Sequence, residues 1–97
     1  MSGFEKPVVV PIGDVLDLHT FRPGEVESLL ADYFDECLKA GITCVRVIHG
    51  KGTGALKKKV WSVLARNPKV KGFHDAPPQA GGWGATIVYL KTEKTDM

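Results

Sequence analysis

Ile48-His49-Gly50-Lys51-Gly52-Thr53-Gly54 joins a β-branched apolar run, Val45 to Ile48, to a stretch with helical spacing from Ala55 to Leu64. The three pieces read as a strand, a tight turn and a helix. Glycines let a backbone take positive φ or approach a ligand closely. The first turn of a helix presents unpaired N–H groups and the positive end of its dipole. Together these suit an anion, most simply a phosphate. The turn is not a P-loop, because no Gly-Lys-Ser/Thr follows at the required spacing. Glycine-rich turns are also often only turns, so its meaning depends on what the rest of the chain brings to it.

Upstream, Val15-Leu16-Asp17-Leu18-His19 alternates, with Leu16 and Leu18 on one face and Asp17 and His19 on the other. A strand through His19 would hold those two polar side chains about 6–7 Å apart. Pro23 fits the first position of a helix. Val26, Leu29, Leu30, Tyr33, Phe34, Cys37 and Leu38 form its apolar stripe, and Gly41 is where a left-handed residue would stop it. The opposite face carries Glu25, Glu27, Asp32, Asp35 and Glu36, so it should turn away from a polyanion. Cys44 to Ile48 is the second strand, and Arg46 on it shares the face of Asp17 and His19.

Downstream, Thr53 is the expected N-cap, and Leu56, Val60, Val63 and Leu64 are the buried stripe of the second helix. Lys57, Lys58 and Lys59 occupy its first turns, where the dipole disfavours positive charge. That reads equally as a solvated face or as the trace of a bound anion. Asn67-Pro68 ends the helix. Val70 to Asp75 is a weaker third strand, Pro77 to Gly84 a turn-rich loop, and Ala85 to Leu90 the clearest strand. Pro7 to Ile12 could lie along a sheet edge. Residues 1–14 read as an N-terminal extension, 15–90 as the domain and 91–97 as a tail.

Ninety-seven residues make one small domain. Thirteen basic and eleven acidic residues give a net charge of +2, which neither demands nor excludes nucleic acid. Cys37 and Cys44 read as buried thiols of a reducing compartment. No apolar run is long enough to span a bilayer and no signal peptide is visible, so a cytoplasmic protein without membrane partners is expected.

The element order is βαβαββ. This predicts an α/β two-layer sandwich, with a mixed four-stranded sheet, its last strand antiparallel, and both helices on one face. A right-handed crossover makes the first two strands parallel. Their C-terminal ends then bring Asp17-Leu18-His19 beside residues 49–52, where open α/β sheets place ligands. The loop through Gly81-Gly82-Trp83-Gly84 returns to the same edge.

These residues resemble the motifs of the Smr (small MutS-related) domain family. Leu16-Asp17-Leu18-His19 is similar to its LDxH motif and His49-Gly50-Lys51-Gly52 to its HGxG motif. Gly81-Gly82-Trp83-Gly84-Ala85-Thr86-Ile87-Val88 is similar to its closing GGxGxT segment. Thr20 departs from the pattern, standing where the family often has glycine. The resemblance implies a fold similar to the C-terminal domain of bacterial translation initiation factor three. It also implies nucleic-acid binding and, for many members, endonuclease activity on DNA or RNA. Some members are C-terminal domains of MutS2; others act on messenger RNA at stalled ribosomes, which makes the ribosome a candidate partner.

Phosphodiester cleavage needs a base, an acid and positive charge around the phosphorus. His19 is the candidate base or acid, Asp17 its orienting carboxylate, and His49 the second acid–base group. Arg46, Lys51, Lys57, Lys58 and the turn residues Gly50, Gly52, Thr53 and Gly54 are candidates to hold phosphate, and Trp83 to stack on a base. His74 reads as a surface strand residue and Trp61 as packing. No zinc-type spacing and no obligate cofactor is apparent. RNA can supply its own 2′-OH as nucleophile, whereas cleavage of DNA would call for water and a divalent ion such as Mg or Mn. A binding module without chemistry and a small phosphate-ligand pocket are the alternative readings.

Overall fold

A computed structural model of the chain describes residues 12–92. The first helix, α1 (Pro23–Lys39), buries Val26, Leu30, Phe34 and Cys37, the i, i+4, i+8, i+11 positions of one stripe. Pro23 stands in its first turn, and the Arg22 N–H donates to Glu25 Oε1 at 2.9 Å. The chain leaves α1 through Gly41, at φ +78. The second helix, α2 (Ala55–Arg66), buries Val60, Val63 and Leu64.

Both helices pack on one face of a four-stranded sheet of β1 (Asp14–Asp17), β2 (Cys44–Ile48), β3 (Val70–Asp75) and β4 (Ala85–Leu90). The spatial order is β1-β2-β4-β3. β1 runs parallel to β2, and β4 runs antiparallel to both β2 and β3. β3 therefore points the same way as β1 and β2, and β4 inserts between β2 and β3. Val45, Val47, Val88 and Leu90 meet the helices in one core with Leu18, Leu30 and Phe34. Each such side chain, fully buried, contributes roughly 1.5–3 kcal/mol. The other face carries Val15, Arg46, Ile48, Ile87 and Tyr89, as their register with the core residues requires.

Three local expectations change. The ladder of β1 ends at Asp17 rather than His19, although the Leu18 N–H still reaches Ile48 O at 2.7 Å. The N-cap of α2 is Gly54, at φ +86, and not Thr53. A left-handed residue is needed there to swing the chain into the helix, and only glycine adopts it without strain. Thr53 Oγ1 instead accepts the Ala55 N–H at 3.3 Å. The turn-rich loop contains two short 3-10 turns, Pro78–Ala80 and Gly82–Gly84. The edge segment expected at Pro7 to Ile12 lies outside the described residues, except Ile12, which is exposed and in no strand. Cys37 and Cys44 are free and buried, and burial pushes both thiols up.

Candidate functional site

The C-terminal ends of β1 and β2 lie side by side because Asp17 pairs with Ile48 in the parallel register. Leu18 then drops fully into the core. Pinned there, the chain folds back on itself, and His19 returns onto Asp17 instead of lying two strand positions away. The His19 backbone N–H donates to Asp17 Oδ1 at 3.0 Å, and His19 Nδ1 bonds the same oxygen at 2.6 Å. The expected separation along an extended strand is thus replaced by direct contact. Both hydrogen bonds hold the Asp17 carboxyl below the usual carboxylate range. An ionised carboxylate only accepts, so Nδ1 carries the proton of this hydrogen bond, and in that tautomer of the imidazole the lone pair is on Nε2. The ring stays largely exposed, with 59% of the side chain accessible.

An open cleft of about 280 Å³ runs from His19 and Phe21 along residues 50–54 to Leu56 and Lys57. Gly50, Gly52 and Gly54 all take positive φ in this turn. A Cβ on Gly50 would lie 3.7 Å from His19 Cβ, which measures how closely the two motifs abut. Gly84 from the β3–β4 loop supports the turn. Its carbonyl accepts both the His49 and the Gly50 N–H, at 3.1 and 2.9 Å. The stem of Lys51 lies across it, since a Cβ there would meet Lys51 Cγ at 3.0 Å.

His49 is placed otherwise than an acid–base group requires. It is 4% exposed, and both ring nitrogens are taken. Nδ1–H donates to Gly50 O at 3.1 Å, and Nε2 accepts from Thr86 Oγ1 at 2.8 Å. Thr86 in turn accepts the Trp61 Nε1–H at 2.8 Å. Burial pushes the His49 pKa down, so the ring is neutral. A base whose pKa is depressed by folding stabilises the fold above its unfolded value, 6.5, and that stabilisation is lost as pH falls. Urea midpoints are therefore expected to decline from pH 7 to pH 5, with a smaller slope in His49→Gln.

Three of the expected phosphate ligands find other surroundings. Arg46 stands on the open sheet face, as anticipated, but its Nη1 donates to Ala80 O at 2.8 Å and ties down the β3–β4 loop. It does not line the cleft. Lys57 does, but its Nζ sits 2.6 Å from Asp75 Oδ1 and over the rings of Trp61 and Trp83. Lys58 is exposed on α2 beyond the cleft. Lys51 and the turn backbone remain at the cleft itself. Trp83 is 45% exposed beside it. Sequence reasoning missed Thr86, Asp75 and the part played by Trp61. Thr86 lay within the GGxGxT segment, but nothing local linked it to His49, 37 residues away. His74 is exposed, with Nε2 3.0 Å from the Tyr89 hydroxyl. A larger cavity, about 530 Å³, opens at the far end of the sheet between Leu38, Gly41 and Thr43, where Asp35 and Lys69 pair with each other. Among the described residues no three His, Cys, Asp or Glu side chains converge as a metal site, and no helix is long and apolar enough to cross a membrane.

The profile of the Smr domain matches residues 16–91. Endonuclease MutS2 of Carboxydothermus hydrogenoformans is 50% identical over 76 residues, which are 78% of this chain and 10% of that protein. Ribosome rescue factor SmrB of Shewanella sp. (strain ANA-3) is 43% identical over 76 residues, covering 43% of its length. The chain thus spans about a tenth of the one relative and under half of the other. The crystal structure of the Smr domain of Thermus thermophilus MutS2 matches with a TM-score of 0.76 and 36% identity, over 80% of this chain and 98% of that one. YdaL, a stand-alone small MutS-related protein from Escherichia coli, matches with 0.68 and 27% identity, over 80% and 64%.

Proposed function

The chain belongs to the Smr domain family, and from that premise we propose that it binds nucleic acid and cleaves a phosphodiester at the Asp17–His19 end of the cleft. The observation that carries the reading is the oriented His19 ring beside a glycine turn and Lys51. Asp17 fixes the tautomer, so Nε2 is free to take a proton. Lys51 and the backbone N–H groups of residues 51–54 offset the charge that builds on the phosphoryl oxygens. The names of the two relatives, an endonuclease and a ribosome rescue factor, agree with a polynucleotide substrate.

RNA is the substrate that this donor set suits best. A divalent ion would find Asp17 and His19 as donors, and these already bond each other. With RNA, His19 takes the proton of the 2′-OH, and the 2′-oxygen attacks phosphorus. The bond to the 5′-oxygen breaks, and that oxygen is protonated from solvent. The product ends are a 2′,3′-cyclic phosphate and a 5′-hydroxyl. His49 acts here through the fold, bonding Gly50 O and Thr86 Oγ1 beneath the turn. The test is a panel of labelled single-stranded RNA, structured RNA and nicked DNA, each with and without EDTA. Cleavage of RNA in EDTA with cyclic-phosphate ends is expected. Cleavage of DNA alone, abolished by EDTA, would overturn the RNA route, and salt-sensitive binding without any cleavage would leave a binding module.

A further inference from the structure

Lys57 is the best enclosed of the site's cations, with 19% of its side chain exposed. Its ammonium lies 5.1 Å from the centroid of Trp61 and 5.2 Å from that of Trp83. Both distances fall within the range of cation–π attraction, which is strongest with indole and grows with desolvation. Asp75 supplies the counter-charge at 2.6 Å. Trp61 is itself fixed, by its hydrogen bond to Thr86 and by an edge contact with Phe73 at 5.1 Å. Trp83 differs at its side chain: its turn is held by the Gly82 N–H on Pro77 O and the Gly84 N–H on Gly81 O, but the residue is 45% exposed and the ring contact described for it is the one to Lys57. A ring in that setting would lose much conformational freedom on stacking with a ligand. Lys57 removes most of that loss beforehand. Because Asp75 already neutralises it, Lys57 has little charge left to offer a phosphate.

We propose that Lys57 is a positioning residue, clamped by Asp75 and Trp61, that holds Trp83 as a preset platform for the nucleobase beside the phosphate in the cleft. This rests on the nucleic-acid reading above and assigns the base-binding part of the same site. An indole face accepts any base, so the platform would add affinity without strict sequence preference.

The test uses the whole chain and a short single-stranded oligoribonucleotide, alongside the same oligonucleotide with abasic positions. Its two tryptophans make intrinsic fluorescence a direct readout. The base-bearing strand is expected to quench the emission and to bind roughly 10-fold more tightly than the abasic one. Trp83→Ala and Lys57→Met should both lose that difference. In cleavage assays Lys57→Met should raise KM several-fold with kcat within about two-fold, and Lys57→Arg should restore KM, since guanidinium also stacks on indole. Asp75→Asn, at an exposed carboxylate, should weaken only the base-bearing strand, and it decides the matter if Lys57→Met does not fold. Tighter binding of both strands by Asp75→Asn would make Lys57 a phosphate ligand masked by Asp75 and overturn the proposal. So would a fall in kcat at constant KM in Lys57→Met. Absence of cleavage by the unaltered chain would remove the nuclease reading and leave the fluorescence comparison intact. Absence of any binding would remove both.

Discussion

His19→Ala is expected to lower RNA cleavage by about 10²–10⁴-fold, the usual contribution of a positioned acid or base. The same change should leave the unfolding temperature within a few degrees. The side chain is more than half exposed, and its described hydrogen bond is the one to Asp17, so its removal should cost under about 0.5 kcal/mol. Asp17→Asn tests the other half of the dyad. An amide can donate to Nδ1, which would move the ring proton to Nε2 and abolish the base. A loss comparable to that of His19→Ala is therefore expected, even though the Asn side chain is nearly isosteric. The double variant Asp17→Ala, His19→Ala should be no slower than the His19 single, because two groups acting as one unit are not additive. Single-turnover cleavage rates, read beside thermal melts of each variant, check all three. Equal rates in the unaltered chain and the double variant would trace the activity to a contaminant.

His49→Ala should behave in the opposite way. It deletes a buried ring, leaves a cavity and strands the Thr86 hydroxyl, at a combined cost of about 3 kcal/mol. For a domain of this size that lowers the unfolding temperature by roughly 15 °C. Thr86→Val keeps the volume and removes only the hydroxyl. The buried His49 Nε2 and the part-buried Trp61 Nε1–H then lose a partner, at a cost of about 1–3 kcal/mol. The two changes share a hydrogen bond, so the double variant should be less damaged than the sum of the singles. Cleavage should fall in proportion to the folded fraction, and the residual rate should recover on cooling. A His49→Ala chain that melts normally yet cannot cleave would restore the ring to the chemistry.

Alternation in Val15 to Leu18 and the stripe of α1 carried most of the fold. Both are local patterns with a period, and the apolar face they define has one partner to meet. The convergence of Asp17 with the His49 turn followed from the parallel crossover. What stayed hidden was pairwise and distant. The contact between Asp17 and His19 arises because burial of Leu18 bends the chain out of the strand, which no spacing rule encodes. Lys57 looked like the other lysines of its turn until β3 brought Asp75 against it. His49 had the chemistry of a catalyst, and only the register of β4 shows its nitrogens already spent on Thr86 and Gly50.

β4 occupies an interior place in the sheet, between β2 and β3, although it is the final strand in chain order. During synthesis the emerging polypeptide can therefore pair β1 with β2 but has no seat for β3. Gly84, which receives two amide protons of the histidine turn, is also made late. A partly translated or clipped chain lacks the support beneath its glycine turn. The cleft between the Asp17–His19 pair and Lys51 thus takes shape only once β4 is seated, near the end of the domain's synthesis.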